Sequence, residues 1–209
     1  MLNISDYFDT YINICCCFRS KEDLLKMRDL EHILLKLVLI SRELTIPHLC
    51  KLIKLAENIL VAINLSNSRV SGHSLEEMHL QHLEGLILAS CSNDTVTSIL
   101  LLLNSHGQLN EIDLSRSQIK GSGLEAFHAP QLKKLNLAWC RNITDSGLLE
   151  LLANNGDNLK DLDLLSTQIT GAGLSGFHAP QLEKLNLAGC IYITDSGQLL
   201  KRITGSNDK

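Results

Sequence analysis

The sequence predicts an α/β solenoid, in which stacked repeats each contribute one short strand of a parallel sheet and a return segment. Apolar residues make up 44% of the chain and aromatic residues only 4%, so the apolar residues are mainly aliphatic. This composition suits a core built from layers of similar aliphatic side chains. The spacing of the repeats is 26, 23, 26, 23, 27 and 23 residues, so that long and short units alternate. Stacking units of this size buries a continuous core. The pattern Leu-x-x-(Leu/Ile)-x-Leu occurs seven times, starting at Leu34, Leu60, Leu83, Leu109, Leu132, Leu159 and Leu182.

The return segments of the long units are predicted to be helical. Thr45–Pro47 opens the first, Asp94 is the expected cap of the second, and Asp145 is the expected cap of the third. The short units have room for a turn only, built on the glycine pairs of 121–123 and 171–173. We therefore expect about seven parallel strands with alternating helical and compact returns.

The repeats span residues 34–203 and define the domain organisation. Residues 1–33 precede them and are predicted to form an N-terminal helical cap, which would cover the terminal layer of leucines. Residues 204–209 form a polar tail. The run Cys15–Cys17 has three interpretations. It packs beneath the cap, binds a metal, or carries a lipid, which would make the chain a lipid-anchored scaffold.

The ninth position carries a small side chain, Cys, Ser or Thr, in every unit except the first, which has Arg42. Residues 132–151, which include this position, resemble the cysteine-containing class of leucine-rich repeats found in F-box substrate receptors of ubiquitin ligases. The alternation of two unit types is more distantly similar to the ribonuclease inhibitor. These resemblances imply a horseshoe whose concave sheet binds a protein, either as a ligase receptor or as an inhibitor. The ninth residues are Cys91, Cys140 and Cys190 in long units and Ser68, Ser117 and Thr167 in short units.

Composition and charge restrict the classes of partner and the compartment. The net charge of −4 argues against nucleic acid, since phosphate binding needs clustered Lys and Arg. No apolar run has the length of a membrane span, and the acidic N-terminus differs from a signal peptide. The repeat cysteines are expected to be single, buried and reduced. We therefore expect a cytoplasmic protein, or one in the host cytosol if it is a bacterial effector.

No residue pattern in the chain predicts catalysis, a metal or a cofactor. His79, His128 and His178 recur at one repeat position, and so do Asp145 and Asp195. Equivalent residues lie two strand spacings apart, roughly 10 Å, which is too far to share an ion with bonds near 2 Å. The chain is therefore expected to be non-enzymatic, with no cofactor and no metal site.

The strand surface contains the candidate binding residues. Alternation along a strand buries the fourth and sixth positions of each unit and exposes the third, fifth and seventh. The single tryptophan, Trp139, stands where the other long repeats have Ser or Gly. It has Arg116 in the neighbouring unit, and Trp and Arg are enriched in binding hot spots. The candidate protein-binding residues are Glu111, Asp113, Arg116, Lys134, Asn136, Trp139, Asp161, Asp163 and Leu165.

These features predict a non-catalytic interaction module that binds a protein on its concave face, as a monomer in a 1:1 complex. The acidic residues predict a partner with a basic or mixed-charge surface. The module would act as an inhibitor or modulator of another protein, or as a secreted bacterial effector. The alternative interpretations are a ubiquitin-ligase substrate receptor and a lipid-anchored scaffold through Cys15–Cys17.

Overall fold

The chain folds into an α/β repeat structure built on one parallel sheet of six strands among the described residues. The computed structural model describes residues 61–194, apart from residues 71, 77–79, 106, 123 and 125. Neighbours in sequence are neighbours in the sheet, and each pair is parallel. This order is what one strand per repeat produces. The strands are β1 (Ala62–Asn64), β2 (Gly85–Ile87), β3 (Glu111–Asp113), β4 (Lys134–Asn136), β5 (Asp161–Asp163) and β6 (Lys184–Asn186).

The register of the sheet aligns equivalent positions of all six repeats. Third positions pair with third positions, as Glu111 does with Lys134, and fifth positions pair with fifth, as Asp113 does with Asn136. The same register holds from β1 to β6. Each repeat position therefore forms a row across the sheet, with neighbours about 4.8 Å apart. The predicted strands of these six units are confirmed.

The core lies on one side of the sheet, between the strands and the return segments. The fourth and sixth positions are 2% exposed or less from β1 to β5, and they are partly buried in β6. Apolar residues of the returns, such as Ile99, Phe127 and Leu151, belong to the same buried cluster. The predicted inward positions are therefore confirmed. The other side of the sheet, made by the third, fifth and seventh positions, is called the strand face below. The predicted exposure of these positions is wrong at Ala62, Gly85, Ile87 and Ala138, which are buried.

Two long units have the helical returns that the sequence predicts, but with different caps. Helix α1 is Asn93–Leu102 and helix α2 is Asp145–Ala153. The Ser92 hydroxyl accepts from the Thr95 amide at 3.2 Å, and the Thr144 hydroxyl accepts from the Gly147 amide at 3.0 Å. The expected caps Asp94 and Asp145 are thus wrong. Both acids instead lie in the first turn, where a negative charge favours the helix dipole.

The short units return through compact turns. Short 3₁₀ turns occupy Gly72–Leu75 and Gly171–Leu174, and a further one, Leu103–Ser105, continues α1. Gly121 has φ +86° and lies against Gly147 at the start of α2. A side chain on either glycine would collide with the backbone of the neighbouring unit. Glycine at these two positions therefore permits the close approach of consecutive repeats.

The ninth-position cysteines are single, buried thiols that bridge adjacent units. Each Sγ donates to a sixth-position carbonyl of the preceding unit, at 3.2 Å for Cys91 and 3.0 Å for Cys140 and Cys190. The hydroxyls of the short units lie beside two of them, at 3.5 Å for Ser117 and Cys140. The prediction of unpaired buried thiols next to Ser or Thr is confirmed for these positions.

Several predictions fall outside the described residues. They are the first strand at Leu34, the cap of residues 1–33, Cys15–Cys17, the helix opened by Thr45–Pro47, and the tail of residues 204–209. No helix of the described part is long and apolar enough to cross a membrane.

Candidate protein-binding surface

The nine predicted binding residues lie along the strand face and at the ends of strands β3 to β5. None of the nine is buried. Glu111 and Lys134 stand in the third-position row, and Asp113 and Asn136 stand in the fifth-position row. Arg116 and Trp139 follow β3 and β4 at the eighth position. The structure therefore places the predicted residues on one continuous surface, although their role in binding stays a prediction.

The fifth-position side chains have a structural role that the sequence reasoning missed. The Asp113 Oδ1 accepts from the Ser115 amide at 2.8 Å, and the Asp163 Oδ1 accepts from the Leu165 amide at 2.8 Å. The same bond, from the amide two residues later to the side-chain oxygen, is made at Asn64, Asn136 and Asn186. Asn and Asp commonly satisfy a nearby amide in this way. The recurrence of Asx at this position is therefore explained by the strand end, and one oxygen of each carboxylate is used there.

The third-position charges pair with each other across the strands. Lys134 Nζ lies 3.6 Å from Glu111, and Lys184 Nζ lies 3.8 Å from Asp161. Both pairs are partly exposed, so each contributes little to stability. Their effect on the surface potential is larger, because the row from Glu111 to Lys184 has no net charge. The acidic character expected of the whole surface is thus confined to Asp113 and Asp163.

Every strand ends in the same tight turn, with the eighth position in the left-handed region. The ninth-position amide donates to the sixth-position carbonyl, as Cys140 does to Leu137 at 3.0 Å. A four-residue turn with positive φ at its third residue favours Gly or Asn there, as in type II turns. Gly189 and Asn67 fit this preference, and they were the sequence signal from which a left-handed residue at this position could have been predicted. The eighth residues are Asn67 (58°), Ser90 (59°), Arg116 (57°), Trp139 (63°), Ser166 (55°) and Gly189 (72°).

Trp139 is the most unusual residue of this series. Positive φ is costly for a bulky side chain, and the indole is nevertheless 40% exposed rather than locked in the core. Its backbone is fixed by the bond from its amide to the Leu165 carbonyl at 2.7 Å. An exposed aromatic side chain on a rigid, strained turn is the type of residue that local packing does not explain.

The cation on the Trp139 ring is Arg141 of the same unit, and not Arg116 of the neighbouring unit. The Arg141 Cζ lies 5.4 Å from the ring centroid, within cation–π range. Arg141 is the tenth residue of the same unit, so it leaves the turn on the same side as the tryptophan. Arg116, Trp139 and Arg141 together are called the rim below. At the tenth and eleventh positions of the last unit, Ile191 and Tyr192 are also exposed, at 77% and 56%.

The described residues contain no constellation for metal or thiol chemistry. No group of three or more His, Cys, Asp or Glu among them could hold a metal ion. The ring Nδ1 of His128 lies 2.9 Å from the Asn154 carbonyl, a local contact between units. Burial raises the pKa of the Cys91 and Cys140 thiols, although hydrogen bonds from Ser68 and Ser117 oppose this. Such thiols are poor nucleophiles at neutral pH.

Comparison with known proteins bears on the same part of the chain. No curated protein matches the chain. A family model described as Leucine Rich repeat matches residues 128–152. This stretch includes β4, the turn with Trp139 and Cys140, and most of α2. The match supports a leucine-rich repeat protein, and it covers the unit that presents the exposed tryptophan.

Proposed function

We propose that this protein is a non-catalytic module that binds another protein through its strand face and rim. The strand face is the expected concave side of a leucine-rich repeat solenoid. Six strands at about 4.8 Å spacing give a width of roughly 25 Å. A standard interface needs about 800 Å² per partner. Because each strand has three residues and is only about 10 Å long, a partner of that size would have to cover the rim and the strand-end turns as well as the strands.

Trp139 is the observation that carries this proposal. It is 40% exposed, it occupies a left-handed turn where the next long unit has Gly189, and Arg141 holds its ring. A residue needed only for the turn would be Gly or Asn. Trp and Arg anchors surrounded by less critical polar contacts are typical of interface hot spots. The polar surroundings here are the third-position ion pairs and the fifth-position side chains.

The proposed role is that of an inhibitor, a modulator or a secreted effector that acts by covering a partner. A ubiquitin-ligase receptor is the alternative that the resemblance of the cysteine-containing repeats to those of F-box receptors implies. The two roles differ in which proteins accompany the chain. A receptor binds ligase adaptor subunits through a region separate from the strand face, whereas an inhibitor needs the strand face alone.

Affinity capture from source-cell lysate tests the proposal, with three baits compared by quantitative mass spectrometry. The baits are the full-length wild type, Trp139→Gly and Leu101→Ala. The glycine variant uses the residue that the chain itself has at position 189. Leu101 is a matched control, since it is 39% exposed, much as Trp139 is, but lies on α1 among the returns.

The proposal expects at least one protein that the wild type and Leu101→Ala recover equally and that Trp139→Gly loses. A capture in which no protein depends on Trp139 would contradict it. Ligase adaptor subunits recovered by all three baits would identify the receptor role. An enzyme recovered in equal amount by wild type and control, and lost with Trp139→Gly, would identify an inhibitor, modulator or effector.

A further inference from the structure

We propose that the strand face and rim recognise a linear segment of the partner whose side chains have a fixed order along the strand direction: basic over the strands, then apolar and acidic at the rim. The basic residues lie over Asp113 and Asp163, the apolar residue lies against Trp139, and the acidic residue lies against the rim arginines. This inference rests on the protein-binding function proposed above and adds the chemistry and orientation of the partner.

The strand half of the surface carries uncompensated negative charge. The third-position row is neutral, because Lys134 pairs with Glu111 and Lys184 pairs with Asp161. Asp113 and Asp163 make no ion pair with any described residue, and each spends one oxygen on a backbone amide. The second oxygen of each carboxylate can therefore accept a hydrogen bond from a partner. Two strand spacings, roughly 10 Å, separate these carboxylates.

The rim carries the opposite charge. Arg116 and Arg141 are exposed, and neither forms an ion pair within the described part of the chain. Arg141 is held against the Trp139 ring with its Cζ at 5.4 Å from the centroid. This contact fixes the position of the guanidinium without neutralising it. Arginine in such a position suits a carboxylate, which it can bind through two parallel hydrogen bonds.

The two charged rows are close and parallel. Asp113 and Arg116 are three residues apart, which limits their separation to about 10 Å at the strand rise. Trp139 stands in the rim row, one strand spacing from Arg116. A segment lying along the strand direction therefore meets the negative row first and then the rim, where the aromatic ring and the arginines lie side by side. The reverse orientation would place like charges together, which is strongly disfavoured.

The repeats themselves supply conservative variants for a test. Asn stands at the fifth position in three described units and makes the same amide bond as Asp113 and Asp163. Asp113→Asn/Asp163→Asn therefore removes charge and keeps the turn. Ser stands at the eighth position in two units, and Gln stands at the tenth in two. Arg116→Ser/Arg141→Gln therefore removes the rim charges with residues the fold accepts.

The probe is a displayed library of random linear peptides selected on immobilised full-length wild type. Enriched peptides are synthesised and their affinities measured by fluorescence anisotropy against the wild type and both charge variants. Each peptide is also made with its basic residue replaced by Gln, and separately with its acidic residue replaced by Gln. Leu101→Ala is the control protein, and it should bind like the wild type.

The proposal expects peptides with a basic residue towards one end and an apolar and an acidic residue towards the other, in either chain direction. Replacing the basic residue should weaken binding about tenfold to the wild type and have no effect with Asp113→Asn/Asp163→Asn. Replacing the acidic residue should weaken binding about tenfold to the wild type and have no effect with Arg116→Ser/Arg141→Gln. This crossed pattern assigns each charge of the peptide to one row.

Three outcomes would overturn the inference. Enriched peptides that need only basic residues would leave a protein-binding surface but remove the fixed order. Peptides that both charge variants bind as tightly as the wild type does would place the site elsewhere. Failure to enrich any peptide would show that the surface does not recognise a linear segment. The capture experiment with Trp139→Gly is independent of these results, so the proposed function and this inference fail separately.

Discussion

At the residue scale, the turn that ends each strand carries two kinds of side chain at one backbone position. Six equivalent residues have φ between 55° and 72°, yet only Gly189 avoids the strain of a Cβ in this region. Asn67, Ser90 and Ser166 are small and polar, whereas Arg116 and Trp139 are large and exposed. The backbone therefore explains the turn, and it does not explain the two large side chains. Those two are the residues on which a binding role depends.

Substitution of Trp139 measures the strain directly. Trp139→Ala and Trp139→Gly both remove the indole, but only glycine relieves the left-handed backbone. We expect the free energy of unfolding of the glycine variant to exceed that of the alanine variant by about 1 kcal/mol. Urea denaturation followed by circular dichroism measures the difference. An alanine variant as stable as the glycine variant would mean that the turn imposes no conformational cost.

The buried thiols give a prediction about pH. Because burial raises the pKa of Cys91 and Cys140 above the ordinary value of 9.0, these thiols ionise in the unfolded chain first. Their contribution to stability is present below pH 9.0 and is lost as the pH rises towards the folded pKa. We expect Cys140→Ser to reduce the slope of stability against pH in this range, by up to about 1.4 kcal/mol per pH unit. Equal slopes for both proteins would contradict this.

At the element scale, the start of α2 is tied to the short unit that follows it. Asp145 Oδ1 accepts from the Thr170 amide at 2.8 Å, and Oδ2 accepts from the Thr170 hydroxyl at 2.6 Å. A Cβ on Gly173 would lie 2.5 Å from Asp145 Oδ1, so glycine there leaves room for this contact. The carboxylate thus joins two repeats. Its sequence position, next to a helix start, had suggested a cap instead.

Alanine substitution of the two first-turn acids separates these roles. Asp145→Ala removes both bonds to Thr170, and we expect it to cost about 1–2 kcal/mol of unfolding free energy. Asp94→Ala is the matched control, because Asp94 lies in the first turn of α1 and its described side-chain bond is only an exposed 3.5 Å contact with Asn93. Its loss should cost about 0.3–1 kcal/mol through the helix dipole. Equal losses, measured by thermal denaturation, would show that Asp145 acts only on its own helix.

At the scale of the whole molecule, the repeat register converts sequence positions into rows. The leucine spacing was enough to predict parallel strands, inward positions and single buried thiols, because each follows from the repeat period and from which units are neighbours. The helix caps and the partner of the Trp139 ring were not predictable in this way. They depend on how many residues a turn uses before the helix begins, and a strand pattern does not determine that number.

Because the core is continuous, we expect truncation of one buried side chain to destabilise the neighbouring repeats as well as its own. Leu162 is fully buried at the centre of β5. We expect Leu162→Ala to cost about 2–5 kcal/mol through the lost burial and the cavity. Hydrogen exchange should show reduced protection in the strands on both sides, β4 and β6. Loss of protection confined to β5 would contradict a core shared between repeats.

The most direct test of the binding account is the dissociation constant of a captured partner for wild type, Trp139→Gly and Leu101→Ala, measured by isothermal titration calorimetry. Loss of a hot-spot tryptophan should weaken binding by about 2 kcal/mol or more, while the unfolding transition stays cooperative and the control binds like the wild type. Unchanged affinity of Trp139→Gly, or equal weakening by both substitutions, would contradict a binding surface centred on the rim.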